Sequence, residues 1–189
     1  MIGGRRACLV RYKNRSMPRF RPTARLLVLD PDDRILLFSA TDSRGLCCLR
    51  GGRPPRAPRI WFTPGGGVHR GESLEAAAVR ELAEETGHVR AEADLGPLVA
   101  TSAGLWVTGD GLTFFGADSY FLVRVTEPRV DTGGQEALER SVITGHRWWA
   151  TGELRATNDK ITPNGLADLV DALLRAGPPA TPVRLTWRP

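Results

Sequence analysis

Gly66, Glu72, Arg80, Glu81, Glu84, Glu85 and Gly87 are spaced as a chemical site would space them. Read as one helix, Ser73–Thr86 turns by about 100° per residue, placing Glu81, Glu84 and Glu85 within an arc of roughly 100°. Side chains three and four positions apart are neighbours on a helix surface. Val79, Leu82 and Ala83 fall on a separate arc and are expected to face a sheet. Three like charges side by side repel, so the helix needs positive charge among them. Arg80 supplies one such charge and leaves the rest of the stripe uncompensated. A divalent cation answers the deficit. The competing reading is a solvated acidic face. The glycine-rich turn ahead of the helix and the glycine stop behind it favour the cation.

Carboxylates with a backbone carbonyl form an all-oxygen donor set, which suits Mg²⁺ or Mn²⁺. No nearby Cys–His cluster points to zinc. Gly66, Glu72, Arg80, Glu81, Leu82, Glu84, Glu85 and Gly87 follow the pattern G-x5-E-x7-R-E-U-x-E-E-x-G-U, which resembles the Nudix box. One position departs: His88 stands where the family has an aliphatic residue, with Val89 directly after it. The resemblance implies an α/β fold, an α/β/α sandwich with a mixed sheet flanked by helices. It also implies divalent-metal-dependent hydrolysis of a nucleoside diphosphate linked to another moiety. On that likeness the Gly66 carbonyl helps hold metal, Glu81 and Glu85 bind it directly, and Glu84 is a ligand or the general base. Glu72 and Arg80 brace the turn against the helix. Nudix enzymes often add a carboxylate from a later loop, for which Glu139 is the first candidate and Glu136 the second. The base is left open among Glu84, Glu85 and Glu139.

Composition is that of an ordinary soluble globular chain, long enough for one full core. The net charge of +5 is a property of one end. Residues 1–25 hold eight basic side chains and no acid, leaving the other 164 residues at a net −3. We expect residues 1–22 to be a basic, flexible arm and 23–189 the Nudix-like domain, because arginine-rich stretches often stay unfolded. A nucleic-acid partner is not expected; the expected partner is a small nucleotide substrate. Cys8, Cys47 and Cys48 form no even framework, which fits a reducing cytoplasm. No apolar run reaches membrane-spanning length, so no membrane role is expected. Oligomeric state is left open, a homodimer included.

The positioning elements follow from periodicity and punctuation. Ala24–Asp30 and Ile35–Ser39 are apolar runs either side of a Pro31–Arg34 turn, a hairpin. The arginine-rich segment 41–59 is long enough to be a lid carrying arginines to phosphates or a surface insertion. Ile60–Thr63 is a strand leading into Pro64 and the glycines. Ser73 is an N-cap and Gly87 a left-handed stop. Leu95–Thr108 and Leu112–Thr126 are strands joined at Gly109–Asp110–Gly111. Their aromatics, Trp106, Phe114, Phe115, Tyr120 and Phe121, are expected in the core rather than stacked on a base. Pro128–Thr144 is a second long loop, holding Asp131, Glu136 and Glu139. Gly145–Ala150 resembles the strand closing the Nudix sheet, with Trp148 or Trp149 inside and His146 beside them. Gly152–Leu154 opens a short turn. Pro163–Ala176 is a helix with Pro163 near its first position and an apolar stripe of Leu166, Leu169, Val170 and Leu173. Val183–Trp187 is a last strand or a docked tail.

Within the resembled family, the proline that tends to accompany ADP-ribose hydrolases downstream of the box is missing; that neighbourhood reads Ala103–Gly104–Leu105–Trp106. The tyrosine of many dinucleoside-polyphosphate hydrolases is missing as well. Two other classes compete with the enzyme. A catalytically silent Nudix-fold module that senses a nucleotide is disfavoured by the intact glutamates. A nucleic-acid binder working through residues 1–25 would show salt-dependent retention.

Overall fold

The computed structural model describes residues 17–41, 59–107 and 112–187. The arginine-rich segment, except its ends, the Gly109–Asp110–Gly111 turn, the three cysteines and residues 1–16 lie outside them.

The chain enters through β1 (Arg19–Leu29), which begins upstream of the expected Ala24. Asp30 then makes the turn. Its carboxylate accepts from the backbone N–H of Asp32 at 3.0 Å and of Arg34 at 2.9 Å, while the Arg34 side chain closes on it at 2.7 Å. β2 (Ile35–Thr41) follows. The two strands share one paired position, Leu29 with Ile35, and then splay apart. β1 continues alongside β6 (Thr113–Arg124) in parallel and takes the short β4 (Gly65–Gly67) antiparallel on its other side. β2 pairs antiparallel with β3 (Arg59–Phe62) and with β7 (Ile143–Trp149). β5 (Leu98–Val107) is antiparallel to β6, β8 (Lys160–Thr162) is parallel to β3, and β9 (Val183–Arg184) is parallel to β5. The sheet is therefore mixed, and the helices cover its two faces.

Alternation along β1 sorts the core into two layers, since successive strand side chains point to opposite faces. Ala24, Leu26 and Val28 pack with Leu36, Phe121 and Val123 under Ala77, Ala78 and Leu82 of α1 (Leu74–Thr86). Leu27 and Leu29 pack on the other face with Trp61, Trp149 and Leu166, Leu169, Val170 and Leu173 of α4 (Leu166–Ala176). The stripe of α4 agrees with the sequence pattern; of the two tryptophans left open, Trp149 is the inward one, while Trp148 is half-buried and donates to the Pro128 carbonyl.

Several expectations are corrected. Pro128–Thr144 is not one loop: it contains α2 (Ala137–Val142), and β7 starts at Ile143. A helix of six residues is too short to display a period. The same holds for α3 (Thr151–Ala156), where only a turn was expected. Pro163 does not open α4, because Gly165 is left-handed at φ 80° and the helix starts after it. On α1 the fully buried apolar residues are Ala77, Ala78 and Leu82, while Val79 and Ala83 are half-buried. The buried side is shared with Glu81 and Glu85, which rotates the apolar stripe away from the expected arc. Phe115 is 40% exposed, although Tyr120 and Phe121 are core. Val183–Trp187 is both a two-residue strand and a docked tail, with the Trp187 ring laid against Gly104 and Gly116.

Candidate active site

Helix α1 is held at both ends by its own sequence. The Ser73 hydroxyl accepts from Ala76 N–H at 2.9 Å, and Gly87, at φ 77°, returns its N–H to the Ala83 carbonyl. Between those ends the helix presents Glu81 and Glu85 to the glycine turn of β4.

That turn has room for the carboxylates only because it lacks side chains. A Cβ on Gly66 would lie 2.4 Å from Glu81 Oε1. At Gly65, φ is +118° and a Cβ would meet the Ala24 carbonyl oxygen at 2.2 Å, so the position is closed to other residues twice over. The Gly65 N–H donates to Glu85 Oε2 at 2.6 Å, and the Gly65 carbonyl accepts from Arg25 Nη1 at 2.6 Å.

Arg80 ties the turn to the helix. Its Nε and Nη2 donate to the two oxygens of Glu72 at 2.8 and 3.1 Å, and Nη2 also reaches the Gly67 carbonyl at 3.0 Å. Its Nη1 donates to Glu81 at 2.8 Å and to Glu84 at 3.0 Å. The paired guanidinium holds the Glu72 carboxyl down at about 2, and Glu72 pushes the Arg80 pKa up in turn. The geometry is that of the brace inferred for Glu72 and Arg80 from the family pattern.

The acids that were expected to share one stripe separate in space. Glu81, Glu85 and Glu139 each place a carboxylate oxygen within 4.8 Å of the others. Glu81 and Glu85 are buried, and Glu139, on α2, is half-buried. Glu84 turns to Arg80 and is not in that group. Glu136 is exposed and stands at the N-terminus of α2, where its N–H donates to Glu139 at 2.9 Å. Asp131 accepts from Gly133 N–H. His146 lies edge-on to Phe38, outside the acidic group.

Burial pushes the Glu85 pKa up to about 7, against the Gly65 N–H, and the neighbouring Glu81 and Glu139 charges push the same way. Burial raises Glu81 too, opposed by Arg80. Carboxylates desolvated together in this way are costly to ionise without a cation. An all-oxygen group of this size has the donor chemistry for a hard divalent ion.

Sequence reasoning missed Arg25, which it counted only toward the basic arm. The signal was an arginine interrupting the apolar run of β1. Besides bonding Gly65, it faces Asp118 at 4.0 Å, and Asp118 is in turn bonded by Thr23, Ser102 and Tyr120.

The glycine turn, the braced helix and the grouped glutamates are features of one known fold. The NUDIX domain profile matches residues 19–170, and the chain belongs to the Nudix family. An RNA pyrophosphohydrolase of Caulobacter vibrioides is 38% identical over 94 residues, which cover 49% of this chain and 44% of that protein. The chain spans about half the length of the curated relatives it matches. Among solved structures, the MutT protein from Methanosarcina mazei Go1 superposes with a TM-score of 0.54 at 16% identity, covering 84% of this chain and 95% of that one. The Nudix domain of Shewanella oneidensis NrtR, complexed with ADP ribose, superposes with a TM-score of 0.53 at 17% identity, covering 84% and 90%. These two likenesses establish the fold.

Proposed function

We propose that the chain hydrolyses the pyrophosphate linkage of a nucleoside diphosphate joined to another moiety, with Mg²⁺ or Mn²⁺ as cofactor. The observation that carries this reading is the group of Glu81, Glu85 and Glu139 beside the Gly65–Gly66 turn. Glu81 and Glu85, with the Gly66 carbonyl, would hold the ion, and Glu139 stands beside them. A divalent cation there supplies neutralising charge for a diphosphate and makes water more acidic.

The chain's own groups do the rest. Arg80 holds Glu81 in place through a 2.8 Å bond, and the Gly65 N–H does the same for Glu85. Glu139 is the least buried of the three and is best placed to meet water, so it is assigned the proton-accepting role. Glu84 is given no direct role in proton transfer, because its carboxylate is turned to Arg80. The Caulobacter relative acts, by its name, as an RNA pyrophosphohydrolase, which agrees with the reaction class.

The test is release of phosphate or pyrophosphate from a panel of nucleotides, with Mg²⁺, with Mn²⁺ and with chelator. Glu85→Gln is expected to lose at least about 100-fold in turnover with an unchanged circular dichroism spectrum. Full turnover in chelator, full turnover in that variant, or none in the wild type across the panel would refute the assignment.

A further inference from the structure

Two Arg-x-Trp triplets flank β2 on the face of the sheet away from α1. Arg59 and Trp61 stand on β3 opposite Thr41 and Ser39, and Arg147 and Trp149 stand on β7 opposite Leu37 and Ile35. Residues two apart on a strand share a face, so each triplet turns an arginine and a tryptophan to the layer that holds α4. The two indoles meet edge to face, with centroids 4.9 Å apart and planes at 77°. Each carries its own guanidinium: Arg59 Cζ lies 5.7 Å from the Trp61 centroid, and Arg147 Cζ lies 4.1 Å from that of Trp149. With Glu153 of α3 and Asp159 they line a cavity of about 530 Å³, the size of a small-molecule site. The sheet separates this cavity from the acidic group, since α1, which carries Glu81 and Glu85, packs on the other layer.

The hydrogen-bond inventory of the cavity selects its occupant. Both acids are engaged. Asp159 Oδ2 accepts from Trp61 Nε1 at 2.9 Å. Glu153 accepts from the Arg147 side chain and from the Ala150 N–H. The donors are not all engaged. Trp149 is 3% exposed, and its buried Nε1–H has no acceptor among the described residues. Among those residues the exposed Arg59 guanidinium meets the Trp61 ring and no carboxylate. A buried N–H without an acceptor is rare and costly, and guanidinium groups take carboxylate and phosphate oxygens through charge-assisted bonds. A neutral ligand would answer the indole alone, and a cation would meet two guanidiniums. An oxyanion answers both.

We propose that this cavity binds a small organic oxyanion, a carboxylate or a phosphate ester, whose oxygens accept from Trp149 Nε1–H and are held by the Arg59 and Arg147 guanidiniums. The site is separate from the acidic group and stands independently of the hydrolase reading.

The buried indole is itself the reporter. The five tryptophans give five indole N–H signals in a ¹⁵N correlation spectrum, and Trp149→Phe identifies the Trp149 signal by its loss. Phenyl phosphate, benzoate and benzyl alcohol share a ring and differ in head group. Each is titrated into the full chain at constant ionic strength with chelator present. Saturable movement of the Trp149 signal by phenyl phosphate or benzoate, and none by benzyl alcohol, is the expected result. The anion that binds more tightly distinguishes a phosphate ligand from a carboxylate. Arg59→Gln and Arg147→Gln should each weaken binding about tenfold, the scale of one hydrogen bond to a charged group. Glu85→Gln, in the acidic group, should leave it unchanged. A Trp149 signal that neither anion moves at about 10 mM would overturn the assignment. So would equal movement with benzyl alcohol, full affinity in both arginine variants, or loss of binding in Glu85→Gln. If Trp149→Phe does not fold, calorimetric titration of the wild type against Arg59→Gln, an exposed position, decides in its place: a tenfold loss supports the site and equal affinity refutes it.

Discussion

At the scale of single residues, the site is a balance between one arginine and several acids, and pH is the probe. Glu72 has its folded pKa depressed from 4.5 to about 2 by Arg80. Its contribution is therefore complete above about 4.5 and is lost as pH falls toward 2. Urea midpoints of the wild type should fall through that window, whereas Glu72→Gln should start lower at neutral pH and lack that part of the acid slope. Glu85 has the opposite sign. Its folded pKa is raised from 4.5 to about 7, so the folded state holds the extra proton between those values. Metal-free protein should lose stability as pH rises from about 4.5 to about 7, by an amount on the order of 3 kcal/mol. Added Mg²⁺ should reverse the loss, more at pH 8 than at pH 5, because a ligand carboxylate must be deprotonated to bind. In Glu85→Gln the slope and most of the Mg²⁺ effect on Tm should disappear. Neighbouring glycines make a sharper pair. Gly66→Ala meets a movable carboxylate, so it should keep its Tm within a few degrees but lose Mn²⁺ binding measured by titration calorimetry. Gly65→Ala meets backbone at a positive φ and should cost about 2–3 kcal/mol in urea unfolding.

At the scale of elements, α1 shows what a sequence pattern contains. Its N-cap and its left-handed stop are local and were legible in the spacing, and its Glu72–Arg80 brace followed from the resemblance to the Nudix box. Ser73→Ala should cost about 1 kcal/mol. Leu82→Ala, at a fully buried position against the sheet, should cost about 2–5 kcal/mol in chemical unfolding. The rotation of α1 was not legible, because apolar and acidic residues share the buried side and periodicity assumes that they divide. Helices α2 and α3 were missed for their length. The one that matters is α2, since it lifts Glu139 out of what reads as a solvated loop and carries it to Glu81 and Glu85. Its N-terminus is closed by the Glu136 N–H bond to Glu139, a polar contact with no hydrophobic period to betray it.

At the scale of the whole molecule, the early parting of β1 and β2 is the decisive event. One shared pair at Leu29 and Ile35 lets each strand recruit different partners, and the glycine turn enters beside β1 with α1 above it. The C-terminal tail completes the sheet from behind. Trp187→Ala should cost about 1–2 kcal/mol by removing a half-buried indole from Gly104 and Gly116, measured by urea unfolding. The chain's order of residues determined the box, the cap and stop of its helix, the paired Glu72 and Arg80, and the apolar stripe of α4, because all of these depend on neighbours within a few turns. Tertiary structure alone decided that Glu139 joins Glu81 and Glu85, that Arg25 supports the glycine turn, and that Phe20 finds Phe115. Each of those contacts joins segments whose meeting depends on how strands pair and layers pack, and pairing is set by burial across the sheet rather than by spacing along the chain.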